Sequence, residues 1–574
     1  MMELAIHQDD ANILLKEKNV LDLKSLEKYR VAGQVTQNTL QYILSLIKDS
    51  YHLHKTESPY TCQELCILGD SFLKSAIDSV YKNGNVSEKG IAAPVSIDVN
   101  DLVSGFSPEL DDESEFKFTP GDVVTISLGA QIDGYTASVS HTIVIYPPGA
   151  EKPEGPVLGS KADAMCAAHI ATETIVALLG CALSPEKIPV QLQQQFQTQQ
   201  VTGSLIRALV DSIALLYNCV VVPGSKIRRV RRFLAGQAEG IVAERDFKGV
   251  VWSEANQEEN LIAKAETSTE LIVSEPSHQT KRMKTQNALR AIPTDDFVVV
   301  PGEVYSIDIQ MASLSDFNKV GIVTLETVEL LSGVNNRNDV FRAKPTIFIR
   351  DVIIKHDLKL KTSRQLLGKI DKQSVYPFKL SHMSSSFPID IKEANGDIIR
   401  QKIALISKDL KSNRLGLAEL SNRHLVKPKP IQVAKFIGLD KVLGANNNTG
   451  SLGFDASKPV LPGMELPLPN LGVSSLKLKS LLKHAEKIPV AREQTTVVLV
   501  NELATAEGKP EVLRLTGGSK AFGPSWVHSK FDLGGQYLET IAQLDSLAKD
   551  PKYGIKIRVC QPVKTSESGV MQLD

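Results

Sequence analysis

The chain alternates between blocks of helical and strand patterning. Between residues 25 and 81 apolar positions recur three and four apart, as at Leu40, Ile43, Leu44 and Ile47, which predicts helices with one buried stripe. Residues 122–132 and 135–146 are instead rich in β-branched and apolar side chains and flank Asp133-Gly134. That dipeptide suits a two-residue type I′ turn, so the segment is a predicted β-hairpin. The Ala-rich stretch SKADAMCAAHIATETIVALLG within 159–183 returns to helical spacing, and a second helix is expected over 204–217. Strand-like runs resume at 297–300 and 303–311, and the last β blocks are TTVVLV at 495–500 and EVLRLTGG at 511–518. The mixture predicts an α+β fold.

Between these blocks the pattern lapses. Residues 253–292 are polar, with charges of both signs and little periodicity, and are expected to form a mobile surface insertion. Residues 355–430 are mixed and more helical, which predicts an inserted subdomain within a discontinuous core of 1–350 and 430–562. Residues 438–472 hold many Gly, Asn and Pro and read as a long loop, and 563–574 as a disordered tail. The chain has 574 residues, 42% hydrophobic, with a formal net charge of -1. That length supports a large core, and the near-neutral balance excludes a globally basic coat for nucleic acid, so any basic surface must be local. Six cysteines are too few for a disulfide framework, and no second thiol pair joins Cys62 and Cys66 at zinc-site spacing. No P-loop or Rossmann motif is visible. No apolar run reaches membrane-spanning length and the first residues lack a secretion pattern, so a soluble intracellular protein is expected.

Several segments resemble known families. GDVVTISLGAQIDGYTASVSHTIVIY resembles the hairpin of the methionine aminopeptidase (pita-bread) superfamily, where a G-D-x-V-x-I-D-x-G segment turns through D-G-Y. LKLKTSRQLLGKI, YPFKL, NRLGLAEL and PGEVYSIDI are similar to the proliferation-associated ErbB-binding proteins of that superfamily. MELAIHQDDANILLK, RRFLAGQAEGIVAER, LPLPNLGVSSLKLKSL and LRLTGGSK resemble fungal shuttling factors associated with the ribosomal export complex. In order, these matches run over nearly the whole chain and imply a pita-bread fold with insertions.

The superfamily's chemistry needs two divalent metals bridged by two aspartates, a histidine and two glutamates. With the turn at Asp133-Gly134, Gly129 faces Ser138 and Ser127 faces Ser140, so Ser127 and Ser138 share a face as diagonal neighbours. Carboxylates at those places could hold metals roughly 3.5–4 Å apart; here both are serine. The resemblance puts Arg228 at the histidine position, Asp308 and Gln494 at the two glutamate positions, and Gly105 where the enzymes keep another histidine. Hydroxyls and an amide are weak ligands for a divalent ion. A guanidinium about 4 Å away would repel each ion by ~8 kcal/mol at an effective dielectric near 20. The expectation is a pseudo-metallopeptidase with no metal and no cofactor. Asp308 is expected either to be hydrogen-bonded or solvated on its strand, or to pair with Arg228. Ser140 and His141 are consecutive on a strand and point to opposite faces, which argues against a Ser–His catalytic pair.

Five cations fall within the seven residues 226–232. Lys226, Arg229, Arg231 and Arg232 are candidate RNA contacts, since guanidinium forks suit phosphate. Residues 355–369 and 477–487 are further basic stretches, the latter read as an amphipathic helix facing water. Lys281-Arg282-Met283-Lys284 suits a nuclear import signal. The resemblance implies a ribosome biogenesis factor that joins the pre-ribosomal large subunit at the exit tunnel and shuttles between nucleus and cytoplasm. Its implied partners are ribosomal RNA and proteins, other biogenesis factors and nucleoporin phenylalanine-glycine repeats, with no membrane. The rival readings are a divergent active metallo-aminopeptidase, an RNA-binding growth or transcription regulator, and a protein-only scaffold. The tail SESGVMQLD lacks the strongly basic end of the regulator's relatives.

Overall fold

The computed structural model describes residues 20–232, 248–257, 295–328, 344–438, 441, 481–501, 510–518, 526–549 and 557–559, apart from short breaks within these ranges. Most of the polar insertion at 253–292, including the basic run 281–284, lies outside them. So do nearly all of the Gly/Asn/Pro-rich loop, residues 477–480 and the tail at 563–574.

Capping chemistry sets the first helices. Helix α1 (Leu23–Ile47) starts at Asp22, whose carboxylate accepts the Ser25 N–H at 2.7 Å, while the Ser25 hydroxyl accepts the Asp22 N–H. Helix α2 (Cys62–Ser79) begins with the same reciprocal arrangement between Thr61 and Glu64. Helices α3 (Ser160–Gly180) and α4 (Gly203–Leu216) follow the predicted spans closely.

The strands that matter for the site are β1 (Lys89–Val99), β2 (Val123–Ile132), β3 (Tyr135–Val144), β4 (Lys226–Val230), β5 (Gly249–Val251), β6 (Val304–Ser313) and β7 (Ala491–Val500). They lie in the order β1-β2-β3-β7-β6-β4-β5 within a ten-stranded sheet. The β2–β3 hairpin turns through Asp133 and Gly134 at φ +53° and +79°, the two positive values a type I′ turn requires. Ser127 therefore pairs with Ser140, and Gly129 with Ser138. The Asp133 carboxylate anchors the tip: it accepts the Ser87 and Glu88 N–H groups and the Lys28 ammonium. Burial raises its pKa, but these donors outweigh that and hold it at about 2.

Helices α1 and α2 pack on the sheet face that carries Ile126, Leu128 and Val139, and α3 and α4 on Ile307 and Ile309. These are one face, because His141 and Glu493, which belong to it, bond across β3 and β7. Burying such side chains contributes roughly 1.5–3 kcal/mol each. The middle of the opposite face is left to polar residues, with apolar residues such as Val304 and Val498 toward the strand ends.

Residues 347–428 form the inserted subdomain. A three-stranded sheet of Ile347–Arg350, Phe378–Lys379 and Val426–Pro428 accompanies α5 (Lys361–Ile370) and α6 (Gly396–Asn422). Its core joins Leu366, Ile370, Ile406, Leu410 and Leu420. Two local expectations fail. Residues 297–300 are no strand but a loop with one bridge, Val298 to Thr202, because Phe297 and Val299 are drawn into the core beside α4. Glu486–Lys487 is a short strand on Phe436 and Lys435 rather than part of a helix.

Candidate functional site

The register of four antiparallel strand pairs decides which side chains meet on the polar face. Ser127 pairs with Ser140, Ser140 with Gln494, Gln494 with Asp308 and Asp308 with Lys226. Paired residues share a face, so these five form one row across the sheet. A second row runs through Ser138, Thr496, Ser306 and Arg228. The four positions Ser127, Ser138, Asp308 and Gln494 are thus brought onto one surface, as the hairpin register and the family pattern imply.

Their bonds are to one another. Ser140 Oγ lies 2.8 Å from Ser127 Oγ and 3.1 Å from Gln494 Oε1. The Ser140 hydroxyl has one proton, and Ser127 Oγ and Gln494 Oε1 are its two alternative acceptors. Gln494 Nε2 in turn donates to Ser306 Oγ at 3.2 Å. Ser138 fits closely over Gly129, where a Cβ would come within 2.7 Å of Ser138 Oγ.

Asp308 does not pair with Arg228. Its carboxylate accepts two bonds from Arg492, Nε to Oδ1 at 2.7 Å and Nη2 to Oδ2 at 2.8 Å. Register explains why the hydrogen-bonded alternative holds and the Arg228 one does not: Arg228 lies opposite Ser306, whereas Arg492 is two residues from Gln494 on the same face. A second carboxylate stands nearby. Asp98 is 1% exposed and accepts the Phe106 N–H at 2.9 Å. Burial pushes its pKa up to about 6, against the lowering effects of the Phe106 N–H, Arg492 and Lys429. Gly105, beside it, has φ +88°, and a Cβ there would meet the Pro430 carbonyl oxygen at 3.0 Å, so a histidine in this backbone conformation would be strained.

These donors do not fit a divalent metal pair. Among the described residues no three His, Cys, Asp or Glu side chains come together as a ligand set. Asp308 already spends both oxygens on a guanidinium, which occupies the role of a cation in the row. His141 is on the far face, its Nδ1 3.0 Å from Glu493 Oε1, and so cannot serve Ser140 as a base.

The candidate RNA contacts Lys226, Arg229, Arg231 and Arg232 do not lie on an open surface strand. β4 is an internal strand with β5 and β6 on its flanks. Arg229 keeps only 8% of its side chain exposed and bonds Glu303 Oε1 at 3.0 Å. Arg231 is buried, and Arg232 donates to the Asp133 carbonyl and lies 5.1 Å over the Tyr135 ring. Lys226 and Arg228 are half-buried on the polar face. Alternating cations on a strand must face both ways, and here both faces are taken. Arg492 and Asp98 escaped the sequence reading; Arg492 shares a face with Gln494, but its pairing with Asp308 rests on the register of β7 against β6.

No family model matches the chain. It is 59% identical over the full length of both chains to "Probable metalloprotease ARX1" of Candida albicans. It is 48% identical over 99% of both to the Saccharomyces cerevisiae protein of the same name. Among solved structures it resembles a thermophilic Arx1, with a TM-score of 0.52 at 16% identity, covering 91% of this chain and 98% of that one. That likeness shows the fold, which is the pita-bread fold of the methionine aminopeptidases.

Proposed function

Because this chain belongs to the ARX1 family of methionine aminopeptidase-like proteins, we propose that it is a catalytically dead ribosome biogenesis factor that binds the pre-ribosomal large subunit near the exit tunnel. In this reading it assists nuclear export, shuttles between nucleus and cytoplasm, and meets nucleoporin phenylalanine-glycine repeats on the way. Its relatives are named as probable metalloproteases, but hydroxyls, an amide and a carboxylate clamped by Arg492 supply neither a metal cage nor an activated water.

The observation that carries the docking role is a segregation of charge. Residues 351–430 hold 16 Lys and Arg against 8 Asp and Glu, a net +8 in a chain whose total is -1. Lys355, Lys359, Lys361, Arg364 and Lys372 are all exposed on the α5 side of the inserted subdomain. Ribosomal RNA is the matching surface, since each phosphate contact releases counterions. In this reading the RNA contacts lie on the insertion rather than on the internal residues Arg229, Arg231 and Arg232.

The test is sedimentation of the tagged protein through sucrose gradients over rising salt. Co-migration with large-subunit particles, lost steeply with salt and weakened by Lys355→Glu, Lys361→Glu and Lys372→Glu together, is the expected result. Migration at the top of the gradient even at low salt would overturn it. Stoichiometric divalent metal in the purified protein would restore the metallopeptidase reading.

A further inference from the structure

Helix α6 shows an outer seam that nothing in the described structure covers. Positions 398, 401, 405, 408, 412 and 415 are spaced three and four apart and hold Ile398, Gln401, Leu405, Lys408, Ser412 and Leu415. In a helix that spacing puts all six on one stripe, the spacing by which helices pack side by side. Ile398 is 43% exposed, Leu405 49% and Leu415 63%. The inward face of α6 is already satisfied, with Ile406, Leu410, Leu417 and Leu420 in the insertion's core. Three large aliphatic side chains on the outer stripe therefore leave about half of their surface in water.

Charge says what should cover them. Lys402, Lys408 and Lys411, on or beside the stripe, are exposed. The acidic side chains Asp409 and Glu419 are turned elsewhere: Asp409 accepts the Ser384 hydroxyl, and Glu419 accepts the Lys359 and Leu360 N–H groups. The seam thus carries three exposed aliphatic side chains interleaved with Gln401, Lys408 and Ser412, and Lys402 and Lys411 stand beside it, so its charge is positive. RNA would use the lysines, but single-strand recognition leans on aromatic platforms, and α6 contains no aromatic residue. Aliphatic seams with charged margins are instead the means by which one helix selects another.

We propose that the outer face of α6 is a docking site for an acidic amphipathic helix of a partner protein. The partner's leucine-type residues would fill the seam between Ile398 and Leu415, a length of ~26 Å at 1.5 Å per residue. Its glutamates or aspartates would flank the seam and meet Lys402, Lys408 and Lys411. This surface is distinct from the α5-side lysines assigned to RNA, so it stands or falls separately from ribosome binding.

The experiment uses the full chain and a fluorescein-labelled synthetic 21-residue helix with leucines at three- and four-residue spacing and glutamates beside them. Fluorescence anisotropy should show saturable binding, at least tenfold tighter than a scrambled peptide of identical composition. Leu405→Ser with Leu415→Ser should weaken it about tenfold or more without shifting the melting temperature, because both side chains are solvent-exposed. Lys408→Glu with Lys411→Glu should weaken it and favour a lysine-flanked version of the same helix. Equal binding of ordered and scrambled peptides, or indifference to the leucine pair, would overturn the proposal. A 20-nucleotide RNA that binds more tightly and loses affinity through the same lysines would reassign the face to nucleic acid. Gradient co-migration of the leucine variant with large subunits separates this failure from any failure of the ribosomal reading.

Discussion

Two buried ionic clusters, built from similar parts, do different work. At the joint between core and insertion, Asp70 and Lys379 are 0% and 1% exposed. Asp70 Oδ1 accepts the Val95 N–H at 2.8 Å, its Oδ2 lies 3.0 Å from His382 Nε2 and 3.8 Å from Lys379 Nζ, and Glu109 accepts the Ser381 N–H. On the polar face of the sheet, Asp308 is 3% and Arg492 14% exposed. The joint is closed on every side and ties segments more than 300 residues apart in sequence to each other. The polar face keeps a partly exposed cation, Arg492, against its buried carboxylate. Burial of the cation, more than the identity of the carboxylate, sets how much each cluster matters to stability.

The largest effect is therefore expected at the joint. Burial alone would lower the pKa of Lys379, but Glu109, Cys66 and Asp70 outweigh it and hold the ammonium above its ordinary value. Lys379→Met leaves the buried carboxylates of Asp70 and Glu109 without the buried ammonium between them, and should cost ~4–5 kcal/mol. Urea denaturation measures this, and limited proteolysis should cut first within 351–430. A loss under about 1 kcal/mol would show that the joint is not held by its charges.

At the polar face the cost should be smaller and reversible by a second change. Arg492→Leu strands Asp308 and is expected to cost ~3 kcal/mol, with water at the half-buried end relieving part of the penalty. The double variant Asp308→Leu with Arg492→Leu removes both charges and should return to within about 1 kcal/mol of the parent. Additive losses in the cycle would mean that the two side chains act independently, despite their two-point contact.

How much of this was legible follows from the range of the interactions. Asp133-Gly134 declares its turn locally, and once the turn is placed, the pairing of Ser127 with Ser140 is arithmetic. The same locality made α1 to α4 readable, because caps and apolar stripes lie within the segment that they shape. The partner of Asp308 was not readable, because it depends on how β7 registers against β6, 184 residues away in sequence. Arg229 and Arg231 misled for a related reason. A basic run looks like surface until its strand is known to be internal, and that needs β5 and β6 in place on either side. Residues 297–300 had strand composition, but a loop let Phe297 and Val299 reach the core.

The smallest effect is expected at Asp98, and it should run opposite in sign to the others. Its folded pKa, about 6, lies above the ordinary 3.8, so the folded protein binds the proton more tightly than the unfolded chain does. The stability contributed by that proton is fully present below about pH 4 and is lost as pH rises through 6. At pH 7 the buried carboxylate is a net cost, which Asn avoids while its oxygen still accepts the Phe106 N–H. Asp98→Asn should therefore gain ~1–2 kcal/mol at pH 7, less than the full shift implies because the new amide N–H groups need partners of their own. Near pH 4 the variant and parent should melt together. Thermal melts between pH 4 and 8 measure this, and parallel curves would mean that Arg492 already neutralises Asp98, placing one guanidinium between two carboxylates.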